Sequence, residues 1–225
     1  MGARLDTLIA GLCGGPEHAL AARLHGWAQT SRAFTAVLAG NASKVRRKLR
    51  VTDAEALGDV EAELAVAAWL LRERRWALAY EPLAASGRRG PDFRVAAPDG
   101  SGAFFVEVTR LRAADGPVDV RLARALADKV EQLPAGAVSV LAVLLPSGTD
   151  GPDALVWALR LLDRAAGETP GGLDGRAFAR GRPRLSAVML GILDDAGIIH
   201  TSLHPLPGAR HPLPSEVARR LRALG

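Results

Sequence analysis

The sequence has a single cysteine and no long hydrophobic run. Cys13 therefore has no partner for an internal disulfide, and a zinc site built from several cysteines is excluded. The longest apolar runs, such as VSVLAVLLP, are far shorter than the roughly 20 residues that cross a bilayer. The segment MGARLDTLIAGLCGGPEH places an Arg and an Asp in front of a very short apolar stretch, unlike a secretory signal. We expect a soluble, cytoplasmic protein with no membrane partner.

Several familiar catalytic motifs are missing as well. No Ser, Cys or Thr stands in a recognisable nucleophile motif, and no glycine-rich loop of the P-loop or dinucleotide type occurs. His200 and His204 are spaced so that they could share one face of a strand, but no third metal ligand stands in an obvious place. The chemistry must therefore be sought among other residue types.

Lysine is scarce, whereas arginine is abundant. Lys and Arg together number 29 against 24 Asp and Glu, for a net charge of +5, and only three of the 29 are lysines. The basic residues cluster at 44–50, 72–75, 87–90 and 179–184. Such clusters suit an anionic polymer such as DNA, because each neutralised phosphate releases counterions. Basic clusters are also common on ordinary solvated surfaces, so both interpretations stay open at this point.

The chain of 225 residues is long enough for one core with an appended subdomain. Residues 1–50 are Ala-rich and carry no strand signal, which indicates a small helical N-terminal subdomain. Residues 51–225 contain all of the strand-like segments and form the predicted main domain. Its first element is a long helix that either Thr52 or Asp53 can cap.

The main domain continues with a short strand, a hairpin at about 91–97 and 103–110, an amphipathic helix and the fully buried strand VSVLAVLLP. A further helix, a loop at about 167–184, a C-terminal strand pair and a last helix follow. A strand meander followed by a helical crossover into a buried strand predicts an α/β fold with a mixed sheet flanked by helices.

Two carboxylates stand inside the hairpin sequence GPDFRVAAPDGSGAFFVEVTR. If the turn is centred between Asp99 and Gly100, Asp92 lies opposite Glu107. Side chains that face each other in this way have Cβ atoms about 4.5–5.5 Å apart. Two like charges this close repel unless a cation lies between them, and Mg²⁺ prefers carboxylate oxygens. We predict a divalent-metal site here; the alternative is that both ends of the hairpin are simply exposed.

The order helix, three strands, helix, strand over residues 53–146 resembles the αβββαβ core of the PD-(D/E)XK nuclease superfamily, a restriction-endonuclease-like fold. That family carries a Glu on the first helix, Pro-Asp at the start of the second strand and Glu-X-Lys on the third. Pro91-Asp92 and Glu107-Val108 match this pattern, with 14 residues between Asp92 and Glu107. Thr109 stands where the family has lysine.

The resemblance implies Mg²⁺- or Mn²⁺-dependent hydrolysis of DNA phosphodiester bonds, with Asp92, Glu107 and a first-helix Glu as metal ligands. Arg88, Arg89 and Arg110 flank the motif and are predicted to contact DNA. Many nucleases of this type cut duplexes as dimers, so a homodimer is also implied. Since members without the lysine can lack activity, the alternative is an inactive nuclease-fold protein that acts as a nucleic-acid-binding or structural module.

The first-helix glutamate is either Glu61 or Glu63. When the helix is projected at 100° per residue, Glu63 falls beside Ala56 and Ala67, small residues that leave room for an ion. Glu61 projects further toward the opposite edge, so Glu63 is favoured as the third metal ligand. The alternative is that both are surface charges that pair with arginines along the helix.

A lysine on the amphipathic helix DVRLARALADKVEQL is a candidate replacement for the one missing at Thr109. Lys129 is spaced with Leu122, Leu126 and Leu133 so that it falls in the middle of the apolar stripe.

A lysine in that position must reach a carboxylate, and Asp92 and Glu107 are the carboxylates that the sheet offers. We predict that Lys129 orients or deprotonates the attacking water, with Gln132 beside it holding a phosphate or water. The alternative is that Lys129 extends past the helix edge into solvent.

Overall fold

The computed structural model describes residues 2–84, 90–112, 116–167, 173–195 and 197–225. These residues form nine α-helices and six β-strands. The helices are α1 Gly2–Cys13, α2 Ala21–Thr30, α3 Arg32–Gly40, α4 Ala42–Leu49, α5 Ala54–Leu70, α6 Val118–Val130, α7 Gly151–Gly167, α8 Gly175–Gly181 and α9 Ser215–Arg222. The strands are β1 Ala77–Tyr80, β2 Phe93–Ala96, β3 Phe104–Arg110, β4 Ser139–Leu145, β5 Ala187–Leu193 and β6 Ile198–Pro205. Among the helices described, none has both the length and the apolar character needed to cross a membrane.

The six strands form one mixed sheet whose spatial order follows the chain from β1 to β6. β1, β2 and β3 form an antiparallel meander, β3, β4 and β5 run parallel, and β6 returns antiparallel to β5. The parallel connections pass through helices, with α6 between β3 and β4, and α7 and α8 between β4 and β5. The predicted mixed α/β architecture is confirmed, and α5 to β4 follow the order helix, three strands, helix, strand.

Two hydrophobic clusters cover the two faces of the sheet. Because successive side chains on a strand point to opposite faces, Val140 and Leu144 of β4 belong to one cluster and Leu141 and Val143 to the other. The first cluster contains side chains of α1 to α5 and α9, and the second contains those of α6, α7 and α8. β4 is therefore covered by helices on both sides, as its uninterrupted apolar sequence predicts.

The N-terminal helices share the core of the sheet domain. Most of residues 2–49 are helical, in agreement with the sequence. Their buried side chains, including Phe34 and Leu38, lie in the same cluster as α5 and the first face of the sheet. The division of the chain at residue 50 into a subdomain and a main domain stays a prediction from composition.

Local sequence explains where α5 begins, but it did not predict α8. The side chain of Asp53 caps α5 by accepting a hydrogen bond of 2.7 Å from the Ala56 N–H. The predicted loop at 167–184 is wrong in part, because α8 and a 3₁₀ turn at Arg182–Arg184 lie within it. A seven-residue helix is unstable by itself. Phe178 is fully buried in the second cluster, so tertiary packing stabilises α8.

Candidate active site

The hairpin of β2 and β3 brings the two predicted carboxylates together. Phe93 pairs with Val106, which confirms the antiparallel register predicted from the turn sequence. Asp92 and Glu107 are the next residues beyond that pair. The backbone N–H of Val108 donates a hydrogen bond of 2.8 Å to Asp92 Oδ2. The Asp92 carboxylate is therefore held at β3, next to Glu107.

Glu107 is the only charged side chain in the fully buried interior of the part of the chain that the structure describes, at 2% exposure. Its side chain points toward α6, because its neighbours Val106 and Val108 belong to the cluster on the opposite face. Oε1 accepts a hydrogen bond of 2.6 Å from Lys129 Nζ. Oε2 is buried and has no partner among the described residues. An unpaired buried carboxylate oxygen is costly, so this atom marks a position where a further ligand would be stabilised.

Lys129 reaches Glu107 from the edge of the buried face of α6. The helix buries Leu122, Leu126 and Val130, and Lys129 lies roughly a quarter turn from the centre of that face. The prediction that Lys129 lies in the middle of the apolar stripe is therefore wrong. Two alanines of α6 are also buried, and they shift the centre of the buried face away from Lys129. The lysine side chain is 27% exposed, so its ammonium group contacts both the buried carboxylate and the open pocket.

The two glutamates considered for the first helix have different partners. Glu61 forms an ion pair with Arg23 of α2. Glu63 lines the same pocket as Asp92. Its Oε2 accepts hydrogen bonds from Lys48 Nζ at 2.6 Å and from the Tyr80 hydroxyl at 2.9 Å. Glu63 is thus the first-helix glutamate that the fold places near the hairpin carboxylates.

All three lysines of the chain pair with acidic side chains around this site. Lys129 binds Glu107, while Lys48 binds Glu63 and also lies 2.9 Å from Glu81. Lys44, the third, lies 3.6 Å from Glu81.

Sequence reasoning missed the role of Lys48, because its basic segment 44–50 looks like a DNA-binding surface. The scarcity of lysine in the sequence was the signal that could have singled out Lys48. Burial would lower the pKa of Lys48, but attraction by Glu63 and Tyr80 outweighs it and raises that pKa.

Two adjoining pockets open over the carboxylates. The first has a volume of about 350 Å³, and the second has about 260 Å³. The first is lined by Asp59, Ala62, Glu63, Asp92, Val108, Thr109, Arg110, Arg112 and Lys129. The second shares Thr109, Arg110, Arg112 and Lys129 with it and adds Leu111, Arg121, Arg124, Ala125 and Asp128. The first pocket therefore has acidic and basic side chains in equal number, and it adjoins an arginine-rich second pocket.

The arginines of the second pocket differ in how they are held. Arg110 forms an ion pair of 2.6 Å with Glu55. Arg112 forms one of the same length with Asp59. Arg124 is exposed and has no ion pair within the described ranges. Arg124 is therefore the arginine most available to an anionic ligand at this surface.

One predicted residue does not join the two pockets, and two others lie outside the described part of the chain. The Gln132 side chain donates a hydrogen bond of 3.3 Å to the Asp128 carbonyl of its own helix and lines neither pocket. Its predicted place beside Lys129 is not what the structure shows, because α6 ends at Val130. Arg88 and Arg89 lie outside the described residues.

Burial raises the pKa of both hairpin carboxylates. The pKa of Asp92 is raised well above its ordinary value, first by burial and then by the charges of Glu107 and Glu63. The pKa of Glu107 is also raised by burial, although Lys129 opposes the shift. Both groups therefore favour a proton or another cation at this position.

The residues fit a metal site in some respects. Two adjacent carboxylates with raised pKa values and one unpaired oxygen are a suitable donor set for Mg²⁺, which often takes one or two protein carboxylates and completes its shell with water and phosphate. Within the described ranges, however, no group of three or more His, Cys, Asp or Glu side chains is arranged to hold a metal ion. The third carboxylate, Glu63, is engaged by Lys48 and Tyr80.

In EDTA, Asp92→Asn should stabilise the protein at pH 8. The pKa of Asp92 is raised in the folded state. Below its unfolded pKa of about 4, the carboxyl is protonated in both states and does not reduce stability. As pH rises through the folded pKa, the buried group becomes charged and the folded state loses stability. Asparagine keeps an acceptor for the Val108 N–H and removes the charge.

We expect a gain of about 1 kcal/mol or more at pH 8, since each unit of pKa shift corresponds to about 1.4 kcal/mol. This amounts to about 2–4 °C in Tm per kcal/mol, and it closes toward pH 4. Thermal unfolding followed by circular dichroism measures it, with the exposed Glu131→Gln as the control. A difference that is constant across pH, or a less stable variant at pH 8, contradicts the expectation.

Comparison with known proteins finds no family model, no curated protein and no solved structure that matches this chain.

Proposed function

We propose that the protein is a metal-dependent, nuclease-like phosphodiesterase that hydrolyses DNA phosphodiester bonds. The observation that carries the proposal is the Asp92–Glu107 pair, with Lys129 bound to Glu107. Asp92 lines the first pocket, and Lys129 lines both that pocket and the adjoining arginine-rich one. The order of α5 to β4 agrees with a restriction-endonuclease-like core, which we propose for this part of the chain. A cytoplasmic location and a homodimeric assembly belong to the same proposal.

Asp92 and Glu107 are the residues that would hold Mg²⁺ or Mn²⁺, with Glu63 as the third carboxylate at the pocket. When bound, such an ion lowers the pKa of a coordinated water and offsets the charge that develops on the phosphate. Glu63 can take part only when its contacts with Lys48 and Tyr80 loosen. Lys48 then remains paired with Glu81, so its ammonium charge is still compensated.

In this proposal, Lys129 has the role that the third-strand lysine has in the family that the chain resembles. Thr109 lines the same pocket and follows Glu107 by two residues on β3, so both side chains point to the α6 side of the sheet. Lys129 enters from α6 on that side. Its ammonium group is a compact charge that can orient a water beside the scissile phosphate, and after releasing a proton the neutral amine can accept one from that water.

The arginine-rich pocket is proposed to bind the DNA backbone. Arg124→Ala should weaken DNA binding by about three- to tenfold at low salt and reduce the dependence of affinity on salt, because one phosphate contact and its released counterion are lost. Fluorescence anisotropy with a labelled duplex at several salt concentrations measures both quantities. Arg219→Ala, an exposed arginine on α9, is the matched control. Unchanged affinity and salt slope in Arg124→Ala would remove this pocket from the DNA interface.

Nicking of supercoiled plasmid tests the activity directly. We expect micromolar protein to convert supercoiled DNA to open-circle and linear forms with Mg²⁺ or Mn²⁺ and to stop in EDTA. Glu107→Gln prepared in parallel excludes a contaminating nuclease, since it should lack this activity. Plasmid that stays supercoiled with both metals rules out nuclease activity toward duplex DNA.

A second candidate function is an inactive nuclease-fold module that binds nucleic acid or has a structural role. Lys129 already compensates Glu107, and Lys48 compensates Glu63, so the site has internal counterions without a metal. Thr109 in place of the family lysine agrees with such a role. Salt-dependent DNA binding without cleavage would favour this candidate.

A further inference from the structure

A second, larger cavity lies apart from the proposed active site. Its volume is about 1060 Å³, and it opens between the end of α2, the start of α3, the second half of α5 and the start of β6. It shares no lining residue with the two pockets over the carboxylates. The lining residues are Trp27, Gln29, Thr30, Ser31, Arg32, Ala33, Ala65, Ala68, Trp69, Leu71, Arg72, Arg74, Gly197 and Ile198.

The charged side chains that line this cavity are all basic. Arg32, Arg72 and Arg74 line it, and no acidic side chain is among its described lining residues. None of the three arginines forms an ion pair with any residue that the structure describes. Nearby acids are used elsewhere, since Glu73 binds Arg75. Three uncompensated guanidinium groups around one cavity favour an anionic ligand.

The wall of the cavity contains hydrogen-bond donors that lack acceptors among the described residues. Trp69 is 3% exposed, and its Nε1 has no hydrogen-bond partner among the described residues. Ser31 caps α3 by accepting from the Phe34 N–H, while Arg32 and Ala33 are the first two residues of that helix and line the cavity. The first N–H groups of a helix have no acceptor within it, and they carry partial positive charge. The start of α3 therefore adds donors to those of the three arginines.

The remaining walls are apolar and partly aromatic. Trp27 and Trp69 contribute indole rings, and Ala65, Ala68 and Ile198 contribute small apolar surfaces. Trp27 is held edge-on against Phe34, with ring centroids 6.3 Å apart. Small-molecule sites typically have volumes of about 300–1,000 Å³, so the cavity can take a ligand with a ring system.

From these features we propose that the cavity is a binding site for a mononucleotide. Arginine matches phosphate oxygens through its planar fork, which favours a phosphate as the anionic group. The indole rings of Trp27 and Trp69 in the wall suit a flat aromatic base. This site is independent of the proposed nuclease function. α5 lines both sites, with Glu63 at one pocket and Trp69 at the other.

Isothermal titration calorimetry of the full chain tests the site with defined probes. The probes are the four ribonucleoside monophosphates and diphosphates, with the matching nucleosides, inorganic phosphate and a short single-stranded oligonucleotide for comparison. We expect at least one nucleotide to bind at least about tenfold more tightly than its nucleoside and than inorganic phosphate, because both the phosphate and the base contribute. EDTA in the buffer separates this binding from any metal-dependent event at Asp92 and Glu107.

Variants locate the binding. Arg72→Ala/Arg74→Ala should weaken nucleotide binding at least about tenfold, and Trp69→Leu, which removes an indole ring from the wall, about threefold or more. Arg164→Ala/Arg180→Ala is the matched control and should bind as the parent does. Both arginines are exposed and lie on α7 and α8, on the other face of the sheet from the helices that line the cavity. Unchanged thermal unfolding confirms that the variants are folded.

Three results overturn the proposal: no nucleotide binds, the Arg72/Arg74 variant binds as the parent does, or the oligonucleotide binds and no mononucleotide does.

Discussion

Lys129→Ala should reduce plasmid cleavage by about 10²- to 10⁴-fold, the range for loss of a general acid or base. Lys129 Nζ lies 2.6 Å from Glu107 Oε1 and lines the pocket that contains Asp92. Its removal takes away the one lysine at the attacking side of the proposed site. DNA affinity should change by less than about threefold, because the Lys129 charge is already paired with Glu107 and contributes little to phosphate binding. Initial rates of nicking and anisotropy with a labelled duplex measure the two effects separately.

The matched control for this experiment is Lys44→Ala. Lys44 is also a lysine near an acidic side chain, at 3.6 Å from Glu81, but it lines neither pocket over the carboxylates. Its replacement should leave cleavage nearly unchanged. Thr109→Lys in the Lys129→Ala background restores the family pattern on β3 and should recover part of the rate. If Lys129→Ala cuts as well as the parent, the proposed role of this lysine is wrong.

Asp92→Asn should weaken Mn²⁺ binding at least about 100-fold and remove cleavage. The substitution keeps the acceptor for the Val108 N–H, so the hairpin geometry is retained while the charge is lost. Because the pKa of Asp92 is raised by burial and by Glu107 and Glu63, protons compete with the metal. Metal affinity of the parent should therefore increase with pH from mildly acidic to neutral conditions, and Asp92→Asn should lack that increase.

Isothermal titration calorimetry with Mn²⁺ and Mg²⁺ measures this prediction. Asp99→Asn, at the exposed turn of the same hairpin, is the control and should bind metal as the parent does. Glu107→Gln provides an independent second variant of the pair. Metal binding that is equal in the parent and in Asp92→Asn would contradict a shared site on the hairpin.

Much of the carboxylate hairpin was predictable because local rules determine it. A turn rich in Gly, Asp and Pro between two strand-like segments sets the register, and the register sets which side chains are neighbours. Phe93 and Val106 pair as expected, which places Asp92 next to Glu107. The cap at Asp53 and the burial of β4 on both faces follow equally from residues close in sequence.

The choice between the two first-helix glutamates depended on distant segments. Glu61 forms an ion pair with Arg23 of α2, and Glu63 forms one with Lys48 of α4. The projection of α5 favours Glu63, but it contains no information about which basic residues pack beside either one. The rotation of α6 was misjudged for a similar reason, because its alanines pack as closely as its leucines and move Lys129 to the edge of the buried face.

By itself, the sequence determined the elements whose causes are local: the mixed α/β order, the hairpin register, the Asp92–Glu107 pair and the scarcity of lysine that pointed to Lys129. Only the tertiary structure decided that Lys48 compensates Glu63 and that an arginine-lined cavity forms beside Trp69. Periodicity and turn chemistry act over a few residues and specify which face a side chain occupies. Ion pairs and cavities form between faces of elements far apart in the chain, and the packing of the whole core sets their distances.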